Sequence, residues 1–487
     1  MPAELANPHQ SRRWLILGVL ALAQLMVVLD ATIVNIALPS AQQALNFSVG
    51  DRQWVVTAYA LAFGSLLLLG GRISDVFGRK RTLIVGLGGF AIASAVGGAA
   101  TNFIMLIAAR GLQGAFGALL APAALSLLTT TFTDPGERGK AFGIYGAIAG
   151  GGGAAGLLLG GVLTQYLSWR WALYVNVGLA VPAALSALAL LPSQAIAVKP
   201  KFDLPGTLTA IGGLFSLVYG FSAAETHGWS SGLTIGFLGA AAALLGIFVA
   251  IERRVEHPLL PLRIVLDRDR GGSYVALLLT NMGMFGVFLF LTYYLQQTLG
   301  FSPVKSGLAF LPLIGVLVVA ATLATSILLP KLGPKPLVPL GMLIAGAAML
   351  LLTRLGTNSS YLSDVLPALL VTGVGVGLVF APATNTGTAG TASSDAGIAS
   401  AMVNTSQQIG GSIGTALLNT LAASATTAYL VARPHTGSVA AHAAVHGYTT
   451  AFWWSAGIFF AGAILAALVL KPGVQQIGLN PEPALTH

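Results

Sequence analysis

Two charged side chains stand where charge is expensive. Asp30 lies inside the apolar run 14–38, and Arg110 inside the run 103–130. In a membrane-spanning helix a central charge costs about 3 kcal/mol on insertion scales, so it persists where it has a partner or a task. The spacing supplies the partner. The first run ends near Pro39, nine residues past Asp30, and the other begins near Asn102, eight residues before Arg110. At 1.5 Å per residue both lie about 12–14 Å beneath the same face. They are level, and can meet directly or through Gln113, one turn from Arg110. A carboxyl group so placed releases its proton when the cation is near and takes one up when it is far. That is the chemistry of a proton carrier. A fixed ion pair joining two helices is the plain alternative. One proton entering across about 150 mV releases about 3.5 kcal/mol. A pH unit adds about 1.4 kcal/mol. Together they sustain a gradient of about a few thousandfold in a neutral solute.

The elements that must position this pair follow from composition. Of 487 residues, 55% are hydrophobic and 8% charged, where a soluble chain carries about a quarter charged. A bilayer absorbs that imbalance and a soluble core does not. The 61 glycines would weaken soluble helices, but in lipid they let helices approach closely. The absence of Cys excludes disulfides, thiolate catalysis and Cys-bound zinc. No cofactor or metal is expected.

Apolar runs of about 20 residues mark candidate spans. Fourteen are counted, near 14–38, 51–70, 82–100, 103–130, 141–164, 171–192, 205–223, 232–251, 272–294, 306–329, 336–354, 363–384, 397–421 and 447–470. The first follows Arg12 and Arg13 but is too long for a signal peptide and contains Asp30, so it reads as a retained helix. With the N-terminus inside, inner segments hold 18 of the 24 Lys and Arg, outer segments hold 5 (Arg52, Arg170, Lys305, Arg354 and Arg433), and Arg110 is the remainder. This asymmetry predicts a multi-pass protein of the cytoplasmic membrane with both termini cytoplasmic. The net charge of +9 is therefore assigned to anionic lipid, and nucleic acid is not expected as a partner.

The segment Gly71 to Arg81 has a short, degenerate echo in Pro330 to Lys335. If the two correspond, the chain is duplicated: residues 1–198 form one six-helix bundle and 272–487 a second. Residues 199–252 are then two inserted helices, and 253–271 a cytoplasmic linker. Parallel repeats of this kind place a substrate site at their interface near the midplane.

Four segments together resemble a known family. Leu29 to Pro39 is similar to the helix 1 motif of the fourteen-helix drug:proton antiporters of the major facilitator superfamily. Gly71 to Arg81 resembles the superfamily's loop 2–3 motif. Ala109 to Gly114 resembles the helix 4 motif with its buried arginine, and Gly146 to Gly161 the helix 5 antiporter motif. The resemblance implies an all-α membrane protein of the major facilitator fold, two six-helix bundles plus two inserted helices. It implies proton-coupled export of a small lipophilic compound by alternating access, by a monomer. Asp30 and Arg110 would couple the proton. Asp75, Gly78, Arg79, Arg81, Gly156 and Gly160 would act in gating. Asp75 at the inner end of helix 2 can face the positive end of a second-half helix. Gly152, Gly156 and Gly160 recur every four residues, a smooth stripe that permits close contact and sliding. Leu157 stands where the family usually has Pro, Gly178 where Pro is common, and Val76 where Arg is frequent. Relatives that export cationic drugs carry further carboxylates in second-half helices. Here Asp364 is at a helix edge and Asp395 in a loop, so a neutral, zwitterionic or singly charged compound fits better.

Substrate contacts are expected from Asn35 and Gln113, from Asn281, Phe285, Phe288 and Tyr293 on the ninth run, and from Asn385, Asn404 and Gln408 on the twelfth and thirteenth. Aromatic and amide side chains suit a promiscuous pocket, although ordinary helix packing also uses them. Some matches carry nothing. Gly410 to Gly414 has a hydrolase-elbow spacing, and Gly151, Gly153 and Gly156 a dinucleotide spacing, but neither follows a strand. His435, His442 and His446 fall in an outer loop, and Glu225 with His227 at the outer end of the seventh run. A proton-coupled importer of a metabolite could use the same Asp30 and Arg110, and a membrane receptor would leave the pair without a purpose.

Overall fold

The computed structural model describes residues 12–48, 51–132, 135–191, 203–255, 258–389, 396–433 and 437–473. Among them the structure is helical throughout. The elements are α1 (Arg13–Leu45), α2 (Arg52–Phe77), α3 (Arg79–Gly98), α4 (Phe103–Thr131), α5 (Pro135–Tyr166), α6 (Trp171–Leu190), α7 (Leu204–His227) and α8 (Gly232–Glu252). After the short α9 (Leu262–Leu266) come α10 (Arg268–Tyr293), α11 (Pro303–Leu323), α12 (Leu329–Leu332), α13 (Pro334–Leu352), α14 (Leu366–Thr388), α15 (Ala396–Val431) and α16 (Gly437–Val469). Single π turns extend α10 over Tyr294–Thr298, join α11 to α12 over Ala324–Leu328, and precede α14 over Tyr361–Val365. Eleven segments are long and apolar enough to cross a membrane, among the described residues. The long helices α2, α5 and α15 fall outside that set. Helical spanning fits a bilayer, because each backbone N–H and C=O finds its partner within the segment.

The helices run past the apolar cores that mark them in sequence. The first run, expected at 14–38, belongs to a helix that continues to Leu45, and the last begins at Gly437 rather than near 447. Hydropathy marks only the lipid-facing part, whereas backbone hydrogen bonding carries on into the polar ends. His442 and His446 consequently lie on α16 rather than in a loop. His435 and Asp395 lie outside the described residues.

Packing repeats along the chain. α1 packs on α5 and α6, α2 and α3 on α4, and α3 on α6. The same relations recur as α10 on α15 and α16, α11 and α13 on α14, and α13 on α16. The contacts between the two groups are reciprocal: α2 lies against α15, and α5 against α11. The hairpin α7–α8 attaches through α7 to α15 and α2. Local devices set the ends. Arg170 donates to the carbonyls of Gly98 (2.8 Å) and Ala100 (2.6 Å), closing α3 against the start of α6. Lys80 Nζ reaches the last carbonyls of α6 at Leu188 (2.9 Å) and Leu191 (2.5 Å), a favourable place for a cation. Gly78 turns the chain between α2 and α3 at φ 89°, a conformation that L side chains rarely adopt.

Candidate functional site

The pair singled out in sequence is in contact. Arg110 Nη1 donates to Asp30 Oδ2 at 2.6 Å. Asp30 Oδ1 accepts from Gln113 Nε2 at 3.1 Å and from Asn176 Nδ2 at 2.7 Å. Arg110 Nη1 also reaches Gln113 Oε1 at 2.9 Å, and its Nε reaches the Val55 carbonyl at 2.9 Å. Gln113 Nε2 further donates to Ser94 Oγ at 2.7 Å. The Tyr59 ring lies beneath the guanidinium, 4.5 Å from its carbon. All of these side chains are buried. One carboxylate on α1 thus gathers donors from α4 and α6, and α2 and α3 hold the donors in place. Buried charge is tolerated when paired and fully hydrogen-bonded, and charge-assisted bonds are the strong ones. A void about one water in size, lined by Val34, Val55, Leu106 and Trp169, reaches Arg110.

The glycine stripe works as a close contact. A Cβ on Gly156 would collide with Thr32 Oγ1 and stand 3.0 Å from the Leu29 carbonyl. On Gly160 it would lie 2.8 Å from the Ile33 carbonyl, and on Gly152 3.2 Å from Val28. These three glycines press α5 onto the segment of α1 that carries Asp30. The approach between the two helix groups uses other glycines. A Cβ on Gly161 would sit 2.7 Å from Val304 Cα, and one on Gly307 2.5 Å from the Leu157 carbonyl.

The gating candidates are partly placed. Asp75 lies near the end of α2, but its side chain is outside the described residues. Arg79 is half-buried and Arg81 exposed. Arg72, beside them, donates to the Pro258 carbonyl at 3.1 Å.

The substrate candidates are not one cluster. Gln113 belongs to the Asp30 network. Asn35 is buried and donates to the Ala31 carbonyl of its own helix (3.3 Å). Asn281 and Asn404 do the same to Leu277 and Ser400 at 2.9 and 3.1 Å. Phe285 and Phe288 are half-buried, the first against Gly411 and the second tilted on Phe310 at 5.4 Å. Gln408 packs beside Gly64 at the α2–α15 contact, and Asn385 is exposed. Tyr293 is elsewhere, in a seam at the Lys/Arg-poor end. There Arg52 of α2 is buried among Tyr293, Phe290 and Tyr448, with ring centroids 4.4, 5.4 and 6.0 Å from its guanidinium carbon. Its Nε donates to Asn419 Oδ1 at 3.0 Å. Tyr293 Oη donates to Gln42 Oε1 at 2.6 Å, and Gln296 Nε2 to the Ile36 carbonyl at 3.1 Å.

Sequence reasoning missed Asn176, Ser94 and Tyr59 as members of the charged network, and Arg52 as the centre of a cage. Asn176 had a usable mark, since an amide deep in an apolar run needs a partner. Arg52 looked like an ordinary loop cation because it sits at a helix start.

The sequence matches the Major Facilitator Superfamily over residues 20–415. The chain belongs to that superfamily. It is 50% identical over 461 residues to the puromycin resistance protein pur8 of Streptomyces alboniger, covering 94% of this chain and 92% of that one. It is 36% identical to the cephamycin export protein CmcT of Amycolatopsis lactamdurans, covering 96% and 93%. Among solved structures it resembles an inward-facing, unoccupied bacterial homologue of the human lysosomal transporter Spinster, with TM-score 0.64, 18% identity, and 95% and 97% of the two chains covered. A peptide transporter of the POT family matches with TM-score 0.67 and 16% identity, over 94% and 96%. These structures share the fold. Membership makes this a multi-pass integral membrane transport protein and not an enzyme.

Proposed function

We propose that this transporter exports antibiotics or other lipophilic small molecules from the cytoplasm in exchange for protons, by alternating access. The single observation that carries the coupling is the buried Asp30 carboxylate. Its donors come from two other helices, so a change in helix packing changes how well it holds its charge. The export direction rests on the relatives, named for resistance to puromycin and export of cephamycin. Puromycin is accordingly the first substrate to test.

In this reading the chain is a fourteen-span antiporter of the drug:proton type. It has two six-helix bundles, α1–α6 and α10–α16, with α7–α8 inserted between them. The Lys/Arg-rich end faces the cytoplasm, both termini with it, and its basic side chains meet anionic lipid. The Arg52 seam then closes the outer side. The bundles rock about a midplane site for which Asn35, Asn281, Phe285, Phe288, Asn404 and Gln408 are the candidate contacts, and the close glycine packing of α5 on α1 transmits the motion.

The test is Asp30→Asn. The amide keeps the size and two of the polar functions of the carboxyl but cannot carry a proton as an acid. Expression of the unmutated protein should lower puromycin accumulation in a sensitive host, and a protonophore should abolish that effect. Asp30→Asn should remain in the membrane and export nothing. Export by the variant at the unmutated rate would remove Asp30 from the coupling.

A further inference from the structure

At the Lys/Arg-rich end the start of α7 lies beside the end of α8. Asp203 caps α7, its Oδ1 accepting from the Gly206 N–H at 2.9 Å. Glu252 is the last residue of α8, and its Oε2 accepts from the Leu260 N–H at 2.9 Å. The two side-chain-bearing residues are 6% and 4% exposed. The remaining oxygen of each, Asp203 Oδ2 and Glu252 Oε1, is buried and has no donor if both groups are carboxylates. These two oxygens converge. Both crowd the point where a Cβ on Gly206 would stand, Glu252 Oε1 2.9 Å from it and Asp203 Oδ2 closer still. A carboxylate only accepts, so a bond between these two oxygens requires a proton between them.

Among the described ion pairs, none brings a cation to either carboxyl group. Arg253 and Arg254, next on the chain, and Arg263 on α9 are exposed. Arg72 of α2 turns to the Pro258 carbonyl. Leu260, which donates to Glu252, belongs to an apolar cluster with Ala210 of α7, Phe248 of α8, Leu259 of the linker, and Ile398 and Met402 of α15. Two like charges buried this close, each with an oxygen that has no donor, cannot both persist.

We infer that Asp203 and Glu252 hold one proton between them, forming a second proton-binding site separate from Asp30 that clamps the linker onto the α7–α8 hairpin. The single negative charge that remains sits at the N-terminus of α7, where backbone N–H groups and the helix dipole favour it. Loss of the shared proton to solvent sets two charges against each other and releases Leu260 from Glu252. Leu260 is two residues from Pro258, which α2 holds through Arg72. The state of this proton therefore bears on how the linker is tied to the first helix group. It uses none of the donors that surround Asp30, and it does not depend on which compound is carried.

The proton is read directly by infrared spectroscopy of the purified full-length protein, as the carbonyl stretch of a protonated carboxylic acid. Glu252→Gln and Asp203→Asn each replace the shared proton with an amide N–H that bridges to a carboxylate, so each preserves the contact. Each single variant should lose the same one-group band. The double variant should lose no more than either single one, and Asp30→Asn should leave the band untouched. Retention of the band in either single variant overturns the proposal. So does a double variant that loses twice the intensity of a single one, since each acid would then own its proton. Either variant alone decides the first point. The measurement involves no transport, so its failure leaves the export reading standing.

Discussion

Two arginines, Arg110 and Arg52, are buried at different depths and solve the same problem in opposite ways. Arg110 lies inside the first helix group, paired with Asp30 and hydrogen-bonded to Gln113 and a backbone carbonyl. Arg52 crosses from that group to the second, and among its described contacts it meets three aromatic faces and an amide oxygen instead of a carboxylate. The difference is one of reversibility. Separating a buried ion pair leaves an uncompensated charge at about 3–5 kcal/mol. A cation–π contact is worth about 0.5–2 kcal/mol, and an arginine near a helix end can recover water when it leaves. The first arrangement holds its charge until the packing of the helices that supply its donors changes. The second suits a seam that must open and close in each cycle.

The largest effect should come from Arg110→Met. It leaves Asp30 without its cation, costs stability by about 3–5 kcal/mol, and abolishes export. Adding Asp30→Asn should restore most of the thermal stability and none of the export. A double variant as unstable as the single one would show that the pair is not the unit described. Next is Gly156→Leu, which drives a side chain into Thr32 and Leu29. Overpacking of this kind costs about 1–3 kcal/mol, so melting temperature and puromycin export should both fall. Normal export would break the link between close α1–α5 packing and function. Gly307→Leu should act differently although its clash with Leu157 is comparable, because that contact lies between the groups. The chain has no Cys, so a single Gln42→Cys reports the seam by maleimide labelling. Labelling should rise in Gly307→Leu with little change in melting temperature, and unchanged labelling would dissolve the contrast between the two glycine contacts. Arg52→Met should raise the same labelling by about 5–30-fold, the equivalent of about 1–2 kcal/mol, with Arg52→Lys intermediate. The smallest effect belongs to Gly178→Ala, where an added Cβ meets nothing within 4 Å. Stability should stay within about 0.5 kcal/mol.

Much of this molecule was legible from its residues. Charges inside apolar runs are rare because they are costly, so Asp30 and Arg110 announced themselves, and helical rise alone put them level. Gln113 followed from one turn of spacing. The four-residue glycine period told that α5 approaches another helix closely. It did not tell which helix, because a smooth face has no partner written on it. Amides such as Asn35, Asn281 and Asn404 each give one N–H to their own helix backbone, which leaves the amide oxygen and the second N–H for other partners. Sequence gives no sign of that local bond, because it depends on the rotamer. Tyr293 stands in the cage around Arg52, a meeting that its place in the ninth run does not reveal.

What the sequence determined by itself was set by local cost: which segments span, which carry charge, which end is basic, and where the chain must be smooth. Each depends on the transfer energy or geometry of one short stretch. What the tertiary structure decided was partnership across distance. Asn176 completes the shell of Asp30 from 146 positions away, Arg52 finds its rings on α10 and α16, and Asp203 and Glu252 come to face each other across two helix ends. Nothing in a single stretch encodes those meetings, because they follow from how whole helices pack and cross.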